Sequence, residues 1–149
     1  MALVDLISPE VVKVPLAGKT KSEVLRELVQ LLLDAGRIGE LESVVDALLN
    51  REALGSTGLE LGVAVPHAKT KAVRQLTAAI GIAPQGIDFQ SADGEPSRLF
   101  FLLLAPPDQS GPHIQALAEI ARLCKSPTFL RLLIGASSAE EVTDLIREG

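Results

Sequence analysis

The sequence predicts an α/β fold: a single domain, spanning residues 1–149, with a mixed β-sheet flanked by α-helices. Three observations carry that expectation. Apolar residues recur at helical spacing over 20–35 and 39–54, and again in three segments after Pro112. Short apolar runs at Val63–Val65, Leu76–Ala83 and Leu99–Leu104 read as strands, the last two as buried central ones. Turn signals separate these segments, and no repeat, linker or low-complexity tract divides the chain.

Taken in order, Val11–Leu16 reads as a strand at a sheet edge, because Pro15 cannot donate to a ladder. Thr20 with Glu23 forms a capping-box pair that starts a helix carrying Val24, Leu25, Leu28, Leu31 and Leu32, closed by Gly36. A second helix is expected from about Gly39 to Leu54, with Leu41, Val44, Val45, Leu48 and Leu49 on one face. Arg51 falls near its C-terminus, where the helix dipole favours a cation. A Gly-rich loop then leads to the strand Val63–Val65, which ends at Pro66-His67. Pro84-Gln85-Gly86 and Ala92–Pro96 are turn signals around Ile87–Phe89. After the loop Pro106–Pro112, a helix is expected to open at about His113, with Ile114, Leu117, Ile120 or Ala121, and Cys124 facing inward. Ser126-Pro127 caps another helix through Phe129, Leu130 and Leu133. Ser137 with Glu140 caps the last, which turns Val142, Leu145 and Ile146 inward.

Composition removes several classes of function. The chain has 47% hydrophobic and 22% charged residues, a globular balance long enough to bury a core. Four Phe and no Trp or Tyr leave no stacking platform for single-stranded nucleic acid, and a net charge of −5 disfavours a phosphate backbone as ligand. A single cysteine, Cys124, excludes a disulfide framework and a cysteine-based zinc site, and its place on an apolar stripe makes it a core residue. The N-terminus has no basic region followed by a long apolar stretch, and Leu99–Pro107 is too short to span a bilayer. A cytoplasmic, soluble protein without membrane insertion is expected.

The unusual chemistry lies between Arg51 and His67. Only two histidines occur in the chain. His67 closes an apolar strand, which fits a packed residue as readily as a functional one. Pro66 stiffens the approach to it, and a neutral imidazole is nucleophilic at physiological pH. His113 stands at a helix start after Gly111-Pro112; that suits a solvent-exposed residue, or an imidazole kept neutral beside an anion by the helix N-terminus. Arg51 is either an ordinary helix-end arginine or a forked donor to phosphoryl oxygens. Ser56, Thr57 and Gly58 lie in a loop, Gly55-Ser56-Thr57-Gly58, that serves as a plain connection or as a nest of N–H groups with two hydroxyl donors. Gly18-Lys19-Thr20 copies the end of a P-loop, but Lys13 stands where that motif requires Gly. No GxGxxG, HExxH or Asp-rich metal pattern is present, so neither a metal nor a cofactor is expected.

In combination these residues resemble the fructose/mannitol/nitrogen type of phosphotransferase-system enzyme IIA. The likeness centres on Arg51-Glu52, Gly55-Ser56-Thr57-Gly58 and Gly62-Val63-Ala64-Val65-Pro66-His67. It continues through Ile87-Asp88-Phe89, Asp93-Gly94-Glu95-Pro96, Leu99–Pro106 and His113. The resemblance implies a mixed sheet flanked by helices, with His67 as phosphoacceptor, His113 as a second site histidine and Arg51 supporting the phosphoryl group. It implies metal-free, in-line transfer from phosphorylated HPr or an HPr-like carrier. Onward partners would be an enzyme IIB of fructose or hexitol uptake, or regulatory target proteins as in the nitrogen branch. The free-standing domain and its Gly-Ser-Thr-Gly form tilt the expectation towards the regulatory branch. The loop departs from the commonest family form: Glu60 stands where glycine is frequent and Leu61 where a polar residue is frequent. An apolar rim including Leu59, Leu61 and Val63 would receive the carrier.

Overall fold

The computed structural model describes residues 3–148. Two short 3-10 turns, Leu3–Leu6 and Pro9–Val11, lead into β1 (Val12–Lys13). Helices α1 (Lys21–Asp34) and α2 (Glu42–Ala53) follow, then β2 (Val63–Ala64), β3 (His67–Lys69), β4 (Thr77–Ile87) and β5 (Ser97–Ala105). Helices α3 (Ser110–Leu123), α4 (Pro127–Ile134) and α5 (Ala139–Glu148) complete the described chain. The sheet order is β1-β4-β5-β2, with β3 continuing β2 along the same edge of β5. It is mixed, as expected: β4 and β5 are antiparallel, and the three short strands run parallel to their neighbours.

The two apolar runs are the central strands. Leu99 to Ala105 are buried without interruption, so both faces of β5 are covered by helices rather than one face meeting water. Leu25, Leu28 and Leu32 of α1 pack down with no exposed surface. Gly81 of β4 admits this approach, since a Cβ there would lie 2.7 Å from Leu16 Cδ1 and 2.8 Å from Leu28 Cδ2. Thr20 caps α1 as anticipated, accepting from the Glu23 N–H at 3.2 Å.

Four local expectations need correction. The first strand is confined to Val12–Lys13. Pro84-Gln85-Gly86 does not end β4. The chain bulges there, with Gly86 at φ +81, and Ile87 still pairs with Ser97. Helix α3 starts at Ser110 rather than His113, and packing sets its inward face one residue away from the expected stripe. His113, Ala116 and Ile120 point inward, while Ile114 is 66% exposed. The last helix is capped by Ser138, whose hydroxyl accepts from the Glu141 N–H at 3.1 Å, one residue later than Ser137.

Candidate functional site

His67 is the first residue of β3, paired in register with Leu103 of β5. The backbone reaches it from β2 through Val65 and Pro66, and the Leu103 N–H donates to the Pro66 carbonyl at 2.9 Å. The imidazole Nδ1 lies 2.7 Å from the Val65 carbonyl oxygen. A carbonyl can only accept, so Nδ1 carries the proton and Nε2 keeps its lone pair free. The ring is half-buried and therefore reachable from outside.

His113 comes to the same place from the far end of the chain. It sits in the first turn of α3 and is only 6% exposed. The two rings meet edge to face, with centroids 5.3 Å apart and planes at 72°. Among the described residues, His113 Nε2 is the buried side-chain nitrogen or oxygen atom that lacks a hydrogen-bond partner. Burial holds its pKa below the ordinary imidazole value, and the nearby His67 and Lys69 push it the same way. His113 is thus neutral at physiological pH. An unpartnered polar atom in a buried position is costly, and it is the kind of feature that a bound group would satisfy.

Lys69 was not singled out by the sequence, although period-2 alternation along a strand puts residue 69 on the side of residue 67. Its ammonium donates to Ser110 Oγ at 2.8 Å, at the start of α3. A cation therefore stands beside the histidine pair. Arg51 lies in the last turn of α2 and donates from Nη1 to the Gly55 carbonyl at 2.9 Å, closing the helix end onto the loop.

That loop is turned inward. Ser56 Oγ donates to the Phe89 carbonyl and accepts the Gly58 N–H at 3.0 Å. The Thr57 N–H and hydroxyl both go to the buried Glu52 carboxylate. The Gly55 N–H donates to the Glu52 carbonyl. These groups fix the shape of the loop instead of forming an open nest. The chain then folds back on β2: Leu59 donates to Val63 and Val65 to Thr57, at 2.7 and 3.0 Å. Leu61 takes a left-handed conformation at φ 61, followed by Gly62 at φ 78. Of the expected rim, Leu59 and Leu61 are 41% and 52% exposed, whereas Val63 is fully buried. Together with Ala121 in the last turn of α3 and Cys124 and Lys125 just past its end, Leu59 and Leu61 line an open groove of about 620 Å³. Cys124 ends α3 half-buried instead of deep in the core, and burial raises its thiol pKa, so it stays protonated at neutral pH.

Comparisons with known proteins agree on one family. The family model described as "Phosphoenolpyruvate-dependent sugar phosphotransferase system, EIIA 2" matches residues 5–149. A fructose-specific EIIABC component of Bacillus subtilis is 32% identical over 99% of this chain, which spans only 23% of that longer protein. A fructose-specific EIIA component of Haloferax volcanii is 34% identical, covering 97% of this chain and 95% of its own. A nitrogen regulatory protein of Bradyrhizobium diazoefficiens is also 34% identical, over 98% of this chain and 95% of its own. Among solved structures, the nitrogen regulatory protein IIA-Ntr of Neisseria meningitidis superposes with a TM-score of 0.88 at 30% identity, covering 97% of this chain and 98% of that one. With the matched region running through both imidazoles and both central strands, the chain belongs to the EIIA 2 family of the phosphoenolpyruvate-dependent sugar phosphotransferase system.

Proposed function

We propose that this protein is a cytoplasmic phosphocarrier that accepts a phosphoryl group on His67 Nε2 from a phosphohistidine of HPr or an HPr-like carrier. One observation carries the reading: Nδ1 is tied to the Val65 carbonyl, leaving Nε2 as the free nucleophile beside the unpartnered Nε2 of His113. In the transfer the bond to His67 Nε2 forms as the donor N–P bond breaks. The donor imidazole, protonated on its other nitrogen, leaves neutral, and phosphorylated His67 keeps its Nδ1 proton on the Val65 carbonyl, so charge and protons balance. Chemistry of this kind asks the protein for alignment and charge stabilisation. Neutral His113 would offer an N–H to an equatorial oxygen, Lys69 a nearby cation, and Arg51 a forked donor after exchanging its Gly55 contact. Ser56, Thr57 and Gly58 would serve by holding the loop. Exposed Leu54, Leu59, Leu61 and Ile114, all chain neighbours of these elements, would supply the apolar docking surface.

The downstream role we favour is regulatory, the phosphorylation state controlling binding to target proteins. The Gly-Ser-Thr-Gly loop and the likeness to IIA-Ntr support it. A second reading is favoured by the fructose relatives: onward transfer to an enzyme IIB for sugar uptake. Incubation with phosphorylated HPr tests the carrier function; acid-labile, base-stable label on the wild type and none on His67→Ala is the expected result. Label persisting on His67→Ala would overturn it. Neighbouring genes separate the branches, a sugar permease pointing to transport and a nitrogen-type sigma factor to regulation.

A further inference from the structure

A continuous polar path runs from α1 to the ring of His67, and Glu52 is its hub. The carboxylate is buried, its side chain 4% exposed, and Oε1 takes the Lys21 ammonium at 2.9 Å. The same oxygen accepts the Thr57 N–H at 3.2 Å, and Oε2 accepts the Thr57 hydroxyl. Thr57 in turn accepts the Val65 N–H on its carbonyl at 3.0 Å. Val65 then offers its own carbonyl to His67 Nδ1 at 2.7 Å. Lys21 is itself fixed, 4.5 Å above the Phe89 ring and 3.2 Å from Gln90 Oε1. Phe89 meets the loop again through the Ser56 hydroxyl.

We infer that Glu52 is a positioning residue, clamping Thr57 so that Val65 holds His67 in the Nδ1–H tautomer with Nε2 as the nucleophile. The physical case rests on what a buried carboxylate costs. Removing it from water is expensive, and an apolar substitute of similar volume is often equally stable, so an ion pair in this position is a weak device for stability alone. It is a strong device for geometry. Both carboxylate oxygens bind Thr57, Oε1 being shared with Lys21, and the Thr57 carbonyl holds the N–H of Val65, the residue whose own carbonyl meets the ring. The second hydrogen bond of an imidazole selects its tautomer, as it does for metal-bound histidines. Without the clamp, Thr57 and Val65 lose their fixed separation and the Nδ1 contact loosens.

The functional half of this inference rests on His67 being the phosphoacceptor, but the tautomer is measurable on the unphosphorylated protein with no donor present. The test is ¹⁵N-resolved imidazole NMR on wild type, Glu52→Ala and Glu52→Gln, beside steady-state transfer from phosphorylated HPr. Wild type should show His67 mainly as Nδ1–H. Glu52→Ala, folded by circular dichroism, should raise the Nε2–H share and lower kcat about tenfold, with donor KM changed less than about twofold. Glu52→Gln can still accept from Thr57 and should restore most of both. An unchanged His67 tautomer in folded Glu52→Ala overturns the assignment. Should that variant fail to fold, Thr57→Val decides: a smaller tautomer shift in the same direction supports the clamp, and a wild-type tautomer removes it. If wild type takes no phosphoryl group while the tautomer moves as expected, the carrier function falls and the positioning role stands. Normal phosphorylation with an immobile tautomer removes the positioning role and leaves the carrier function standing.

Discussion

His67 and His113 meet edge to face at a centroid separation of 5.3 Å, and Nε2 of His113 is buried there without a hydrogen-bond partner. In the proposed reaction this pairing sets His67 as nucleophile and His113 as donor around a common space. Removing the donor should therefore separate stability from activity. His113→Ala should slow transfer in both directions by on the order of 10²-fold, the usual effect of deleting one donor to a developing charge. His113→Leu should slow it as much while raising stability by about 1 kcal/mol, because an unsatisfied buried polar atom disappears. Rapid-quench transfer rates and thermal melts on the same preparations check both halves. Unchanged rates would take His113 out of the site.

The lowered pKa of His113 gives a signed pH dependence. The unfolded chain takes up a proton near the ordinary imidazole value of about 6.5, whereas the folded chain resists until lower pH. Between those points the unfolded state binds more protons, so stability rises with pH. The contribution is fully present above about pH 6.5 and is lost as pH falls through the folded value. Melting temperature should drop from pH 7 to pH 5 more steeply in wild type than in His113→Leu. Phosphorylation of His67 would place negative charge beside the ring and should raise the His113 midpoint, read directly by NMR titration.

The Nδ1 contact to Val65 predicts the bond that forms. Phosphorylated protein should carry its phosphorus on Nε2 of His67, visible as a one-bond ³¹P–¹⁵N coupling at that nitrogen and absent at Nδ1. Attachment at Nδ1 would require the carbonyl contact to break and would contradict the proposed geometry.

Long-period features were legible in the sequence, and local register was less so. The Leu99–Leu104 run announced a strand buried on both faces because nothing polar interrupts it. His67 stood out because Pro66 and a β-branched run converge on it. What escaped was set by tertiary contacts. The start of α3 at Ser110 cannot be read locally, since Gly111 and Pro112 look like the end of a loop and yet sit in the helix's first turn. Which face of α3 packs inward is equally a tertiary matter: His113 is buried and Ile114 exposed. For Ser56 and Thr57 the sequence left a plain loop and a donor nest open; their partners, Phe89 and Glu52, are visible only once the loop is folded. Lys69 reaches the site by pairing with Ser110, a contact between distant segments.

Loop placement also depends on Gly58 having no side chain. A Cβ there would lie 2.6 Å from Ser91 Oγ and 2.9 Å from Ser91 Cα, and the second neighbour is backbone that cannot rotate away. Gly58→Ala should cost about 1–3 kcal/mol as an overpacked contact. Because the Gly58 carbonyl also accepts the Ala92 N–H at 3.2 Å, the shift should spread into the 89–94 turn. Chemical denaturation gives the cost, and amide chemical shifts near Ala92 report the spread. Wild-type stability would mean that the loop and the turn are not packed as tightly as the contact implies.

Leu61 makes the sharpest trade between fold and partner. It is a bulky residue held at φ 61, where a side chain costs roughly 1–2 kcal/mol, and it leaves 52% of its surface exposed. The fold gains little from the leucine, since the Leu61 N–H, donated to Asp93 Oδ2 at 3.2 Å, is available to any residue except proline. Asparagine tolerates the left-handed region without the chain entropy of glycine, so Leu61→Asn should stabilise the protein by about 0.5–1 kcal/mol. Beside Leu59, Leu61 lines the groove next to Cys124, which the proposed function assigns to carrier docking. The same substitution should then raise the KM for phosphorylated HPr severalfold while leaving kcat near wild type, because docking is weakened and the histidine pair is untouched. Higher stability with unchanged KM would remove Leu61 from the docking surface and leave its strained backbone without a functional account.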